Sequence, residues 1–454
     1  MFAASTYQNR RRRLRESMPD SGLILLLGSN ESPRNFAHNI FPFRQDSSFL
    51  YFFGIDLPGI AALIDTDSGA EILFGDDPHP DMIVWTGPQA PFAEIAASAG
   101  ISETRSASKL AEALKSGRPI HRLPSYQADT DRRFGELVPD AQPSADLIRA
   151  VVALRAVKSA EEIEEIEKAI GVSHAVHTAA MRSTFPGRAE YGLVADLEAI
   201  AHRHGAQTSF NTIFSRRGEI LHNPFHHNTL EDGDIVVHDS GAETALHYAS
   251  DITRTIPANG TFDARQRDVY SIVLDSQQAA IDALAPGTPF RDLHATASRV
   301  ILAGLAELGI VTGDIDEALA ADAHTLFFPC GLGHMMGLDV HDMEALGEDY
   351  VGYDGEIQRN PAFGWRSLRL GRRLEPDWVV TVEPGIYFNG LLADRWRAEG
   401  TCKPFIDFDR FEAFRDFGGV RLEDDFLITA DGYRLLGEPI PKSIGDVEAE
   451  CAAG

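Results

Sequence analysis

Cysteine is scarce here: the chain has 3 in 454 residues, at Cys330, Cys402 and Cys451. So sparse and odd a set does not build a disulfide framework and suits a reducing compartment, so a cytoplasmic location is expected. Positive charge is also in short supply. Lys and Arg total 41 against 68 Asp and Glu, a formal net charge of −27. Such an acidic surface disfavours nucleic acid and anionic membranes as partners. Long apolar runs are missing too. The best, Leu23 to Leu27, has strand length, far short of the roughly 20 residues that span a bilayer. The basic run Arg10 to Arg13 is followed by polar Glu16 to Asp20, unlike a secretory signal, and reads as an exposed face of a first helix. No internal repeat or low-complexity tract is visible.

What remains is ordinary globular material, 44% hydrophobic and 24% charged. The length exceeds one typical core, so two domains are expected. Residues 21–29 read as a buried strand. Residues 49–74 alternate aromatic or β-branched runs with turn residues such as Pro58-Gly59 and suggest several strands. Residues 91–115, rich in Ala, Glu and Leu, read as helix. This mixture predicts an α/β domain over residues 1–147, closed by Pro139 and Pro143. In residues 148–454, apolar spacing at Ile163, Ile166, Ile170 and Val176 predicts a long helix over 155–183, with Ser159 and Glu162 spaced as a capping box. Further helices are expected at about 188–205 and 264–284. Beyond about residue 320 the texture turns to Gly-rich, short β-like runs.

Five residues of metal-ligand type punctuate this second region: Asp239 in VVHDSGAE, Asp251 in ASDITRT, His334 in CGLGHMMGLDVHD, Glu383 in VVTVEPGIY and Glu423 in GGVRLEDDFLIT. Taken singly, each has a plain explanation. An Asp is commonly a turn or cap residue, a Glu a solvated strand end, and a His a structural hydrogen-bonder. Their settings argue for more. Asp239 follows Ile235-Val236-Val237, and a strand, turn and return strand would bring Asp251 back beside it. Glu383 ends the apolar run Val379 to Val382, where a carboxylate is costly unless paired or metal-bound. Four carboxylates and one imidazole suit a pair of hard divalent cations, the equipment for amide hydrolysis.

Taken in order, these segments closely resemble the Xaa-Pro peptidases, aminopeptidase P and prolidase. The likeness extends from Phe41-Pro42-Phe43-Arg44-Gln45-Asp46 through Ser367-Leu368-Arg369 to Gly418-Gly419-Val420-Arg421-Leu422-Glu423. It implies a non-catalytic α/β N-terminal domain and an α+β pita-bread catalytic domain of creatinase/aminopeptidase type. By the resemblance, Asp239 binds one metal, His334 and Glu383 bind the other, and Asp251 and Glu423 bridge two divalent ions, with manganese preferred. A hydroxide bridging the metals would attack the carbonyl before proline, and Glu383 would shuttle a proton to the departing nitrogen. His222 is expected to contact substrate, His341 to hydrogen-bond the scissile carbonyl, and Arg421 to lie close to the site. The resemblance also implies a homodimer or a dimer of dimers.

One departure stands out. Cys330 occupies a position, four before His334, where the family commonly has a substrate-lining His, so Cys330 is a substrate-binding candidate. Its thiol is either an inert small residue or an oxidation-sensitive one. The activity favoured is removal of an N-terminal residue before proline. The alternative is a prolidase confined to Xaa-Pro dipeptides, which the long insertion between Gly385 and Gly418 would suit. A non-catalytic relative that only binds protein fits poorly, because all five ligand types are kept.

Overall fold

The computed structural model describes all 454 residues. The chain forms two compact units, one of residues 1–156 with 343–351, the other of residues 157–342 with 352–454.

The first unit is built on a five-stranded sheet. Its strands are β1 (Leu23–Leu27), β2 (Ala61–Asp65), β3 (Glu71–Phe74), β4 (Glu103–Arg105) and β5 (Ile120–Arg122), in the order β4-β3-β2-β1-β5. β1 is buried along its whole length, as its unbroken Leu/Ile run requires of a central strand. Leu23, Leu25 and Leu27 pack with Leu63, Phe74 and Phe134 in one core. Each such side chain withdrawn from water contributes about 1.5–3 kcal/mol.

Three expectations fail in this unit. Ser47–Phe53 is a helix (α2), not a strand. Asp46 caps it by accepting from Phe49 N, and Gly54, at φ 63°, ends it, so capping chemistry overrides the β preference of Phe-Leu-Tyr-Phe-Phe. Residues 91–115 are not one helix, because Gly100, at φ 75°, breaks the run and β4 follows. The basic run is only half exposed. Arg10 and Arg11, in helix α1 (Ala4–Ser17), are 4% and 0% exposed. Their guanidiniums donate to Tyr51 O at 2.9 Å and Phe52 O at 2.8 Å, satisfying carbonyls that the end of α2 leaves open.

Helix α3 (Ala145–Ala156) also belongs to the first unit. In the second unit, helix α4 (Ala160–Ser183) starts at the expected cap, where Glu162 Oε2 accepts from Ser159 N at 3.0 Å. Helices α5 (Glu190–Arg203) and α6 (Ala264–Asp282) lie where expected, and α7 (Phe290–Glu307), not foreseen, packs on α6. Three of the unit's four small antiparallel sheets carry the residues discussed below. The first contains β6 (Ile213–Ser215), β7 (Ile235–Ser240) and β8 (Ile252–Pro257), with β7 central. In the second, β9 (Val379–Val382) pairs with β12 (Asp424–Ile428), which pairs with β13 (Tyr433–Leu435). In the third, β10 (Gly385–Tyr387) pairs with β11 (Gly419–Arg421). Backbone bonds stitch the first sheet to the break before β12, Glu423 N donating to Thr253 O at 3.1 Å, and the segment of His334 to β9, Thr381 N donating to His334 O at 3.0 Å. From α6, buried Gln277 donates to Val382 O and to Asp424 Oδ2, both at 3.1 Å. Three chain segments distant in sequence thus converge where those strands meet.

Candidate metal centre

Asp239 sits on β7, directly opposite Thr253 of β8, and Asp251 immediately precedes β8. Thr253 bridges to Glu423, in the break between β11 and β12. Glu383 occupies the equivalent break between β9 and β10. His334 lies on a segment laid against β9, through Met335 opposite Val380. Gly333 makes that approach possible, since a Cβ there would stand 2.2 Å from Thr381 O.

These placements gather the ligand-type side chains. Asp251, His334 and Glu423 each offer an atom within 4.8 Å of the others. His334 Nε2 lies 3.3 Å from Asp251 Oδ2 and 3.7 Å from Glu383 Oε1. Its other nitrogen, Nδ1, is 3.0 Å from Met335 O, which leaves Nε2 facing the carboxylates when Nδ1 bears the proton. Asp239 joins through Arg421, whose Nη2 donates to Asp239 Oδ2 at 2.5 Å.

Behind the cluster is a fully formed support. Thr253 Oγ1 donates to Glu423 Oε2 at 2.8 Å, and Asp251 N donates to Asp425 Oδ2 at 3.2 Å. Buried Arg254 donates to Glu423 O at 2.7 Å, to Thr253 O at 2.9 Å and to Asp424 Oδ1 at 2.6 Å, fixing the backbone on either side of the site.

The residues fit a cation. Asp239 Oδ1, Asp251 Oδ1 and Glu423 Oε1 are buried without a hydrogen-bond partner, whereas Asp239 Oδ2 and Glu423 Oε2 each accept one. Burial, and after it the neighbouring carboxylates, push Asp251 and Glu423 well above the usual carboxylate range, and burial raises Glu383. Acids forced together in this way are kept ionised by a bound positive charge, and hard oxygen donors select a hard ion.

Around the cluster, the His341 ring stands edge-on to His334 with centroids 4.4 Å apart. His222 is exposed overall, yet partial burial, followed by the charge of Arg421, lowers its pKa. Cys330 Sγ lies 4.0 Å from Tyr387 Oη, and burial, then Glu383, pushes its thiol up to about 12. Three participants carried no assigned role in the sequence. Arg369 exerts its charge on Glu383, Cys330 and His222. Tyr387 accepts from Arg421 Nη1 at 3.0 Å. Asp425 holds Asp251. Their sequence signal was adjacency to recognisable runs, at Ser367-Leu368-Arg369, after Pro384-Gly385 and within Leu422 to Asp425. His226 and His227 stay outside the cluster: His226 Nδ1 lies 3.3 Å from Phe214 O, and His227 stacks on Phe225 at 5.5 Å.

A buried acidic cluster with one inward imidazole, framed by short antiparallel sheets, is the kind of site a metal-dependent hydrolase uses. Metallopeptidase family M24 matches residues 164–430, and the aminopeptidase P N-terminal domain matches residues 7–118. The Xaa-Pro dipeptidase of Homo sapiens is 32% identical over 95% of this chain and 89% of its own length. The Xaa-Pro aminopeptidase of Haemophilus influenzae is 32% identical over 97% of this chain and 96% of its own. Zinc-substituted aminopeptidase P of Escherichia coli, solved with product, superimposes with a TM-score of 0.82 at 30% identity, covering 100% of this chain and 99% of that one. The chain belongs to metallopeptidase family M24, in its Xaa-Pro peptidase branch, and has that branch's N-terminal domain and pita-bread catalytic domain.

Proposed function

We propose that the protein is a dinuclear exopeptidase that removes the N-terminal residue from peptides with proline in second place. The observation that carries this reading is the set of buried, unpartnered carboxylate oxygens on Asp239, Asp251 and Glu423 around His334. Asp239, Asp251, His334, Glu383 and Glu423 would hold two divalent ions, manganese being the choice for so oxygen-rich a shell. When bound, the ions supply a nucleophile near neutral pH and polarise the carbonyl. The chain's own residues do the rest. His341, beside His334, donates to the scissile carbonyl oxygen and to the oxyanion that follows. Glu383 has the most open carboxylate among these ligands, its side chain 18% exposed, and passes a proton to the departing proline nitrogen. Arg421 orients Asp239. His222, Cys330 and Arg369 line the substrate's path. Proline's amide lacks an N–H, so a dedicated pocket is needed in place of a backbone hydrogen bond.

The aminopeptidase reading is supported over prolidase by the likeness to solved aminopeptidase P structures, such as that of the Escherichia coli enzyme with substrate, which covers 100% of this chain with a TM-score of 0.82. We assign the non-catalytic role to residues 1–147 and catalysis to 148–454. Three free cysteines support the cytoplasm, and no helix is long and apolar enough to cross a membrane. Self-association into a homodimer is supported by the contiguous apolar run Met82 to Trp85, in which Val84 and Trp85 are 79% and 81% exposed.

The test compares an Xaa-Pro-Yaa tripeptide with an Xaa-Pro dipeptide in the presence of manganese. Release of Xaa from the tripeptide is expected. Cleavage of the dipeptide alone would make the enzyme a prolidase, and cleavage of neither would end the reading.

A further inference from the structure

Lys158 and Asp342 form an ion pair withdrawn almost wholly from water. Nζ lies 2.9 Å from Oδ2, and each side chain is 1% exposed. A pair buried this deeply gains little net stability, because desolvation offsets the attraction between the charges. Its position suggests another reason for it. Asp342 directly follows His341 and closes the segment that starts at His334. Its N–H donates to Met335 O at 2.8 Å, and its Oδ1 accepts from Asp339 N at 3.3 Å. Gly337 lines the same spot, where a Cβ would stand 2.6 Å from Asp342 Oδ2 and 2.9 Å from Lys158 Cε. Lys158 is anchored in turn. Its N–H donates to Asp377 O at 2.8 Å, two residues before β9, and Ser159 begins the cap of α4 directly after it. The ammonium therefore tethers the segment Met335–Asp342 to the base of the sheet that supports His334, and His341 is the next residue along.

We propose that the Lys158–Asp342 pair is a positioning device that fixes the imidazole of His341 for the reaction. The inference rests on the reading of His341 as donor to the scissile carbonyl. A ring displaced by about 1 Å forfeits a rate factor on the order of 10–100 without a matching loss of substrate affinity.

The test uses the full chain, manganese-loaded, with an Xaa-Pro-Yaa tripeptide. The variants are Lys158→Met, Asp342→Asn, the two combined, His341→Ala, and Lys158→Met in the His341→Ala background. The readouts are kcat, KM, Tm and bound metal. Each single pair variant is expected to lower kcat at least about tenfold with KM within about threefold and metal content unchanged. Asp342→Asn, nearly isosteric, serves if Lys158→Met does not fold. The combined variant, with no lone buried charge, should regain Tm yet keep the low kcat. Lys158→Met should add less than about twofold to His341→Ala, since both act through one ring. Recovery of kcat together with Tm in the combined variant would make the pair merely structural and overturn the proposal. Additive losses with His341→Ala would also overturn it. A low kcat in His341→Ala beside normal kcat in the pair variants sinks the inference alone, whereas a normal kcat in His341→Ala sinks the reading of His341 beneath it.

Discussion

The guanidinium of Arg421 donates to Asp239 Oδ2 at 2.5 Å, to Tyr387 Oη at 3.0 Å and to Thr253 Oγ1 at 3.1 Å. One rigid fork thus orients a site carboxylate, the phenol beside Cys330 and the threonine that holds Glu423. A lysine offers a point charge on a flexible stem and cannot serve all three. Arg421→Lys is expected to lower kcat/KM by about 10- to 100-fold, or about 1.4–2.7 kcal/mol. Steady-state assays on a proline peptide measure it. Activity within about threefold of wild type would show that charge alone suffices.

Asp251→Asn and Glu423→Gln each remove a charge from the centre of the acidic cluster. Both should abolish turnover and reduce bound metal, read by elemental analysis of the dialysed protein. Turnover above about a tenth of wild type, roughly 1.4 kcal/mol, would argue against the ligand assignment. Chelation of the wild type should lower Tm, because metal binds only the native cluster, and added manganese should restore it. Equal Tm with and without chelator would contradict the metal site.

The Cys330 thiol, held up at about 12 by burial, is almost entirely protonated at neutral pH. Thiolate is the reactive form, so the inert alternative is the expected one. Peroxide should inactivate wild type and Cys330→Ala at equal rates. Selective protection of the alanine variant would identify an oxidation-sensitive site instead.

Buried His294 and His324 stay neutral, with pKa values lowered to about 3 and about 4 by desolvation. Unfolded, they titrate near about 6.5. Between about pH 6.5 and about pH 4 the unfolded chain therefore binds more protons, so stability is complete above that window and falls as pH drops through it. The limiting slope is about 1.4 kcal/mol per pH unit for each residue. His324→Phe keeps a ring against Trp365, which lies 5.5 Å away, and removes one titration. Its Tm should fall less than that of wild type between about pH 7 and about pH 4.5. Parallel curves would refute the assignment.

Much of the catalytic unit was legible because its signals are local. The Ser159–Glu162 cap, the apolar spacing of α4 and the Ile-Val-Val run before Asp239 each fix a conformation within a few residues. The first unit was less legible. The aromatic run Phe49 to Phe53 has β propensity, and only the cap at Asp46 and the left-handed Gly54 turn it into a helix, while Arg10 and Arg11 are drawn inside by carbonyls far along the chain.

By itself, the sequence determined which residues could ligate a hard cation and which family's order they follow, because residue type and spacing are properties of the chain. Tertiary structure alone decided that Asp251, His334 and Glu423 lie within 4.8 Å of one another, that Arg421 grips Asp239, and that Lys158 reaches Asp342 across 184 positions. These are long-range encounters, set by how the sheets pair and cross, and no local propensity encodes them.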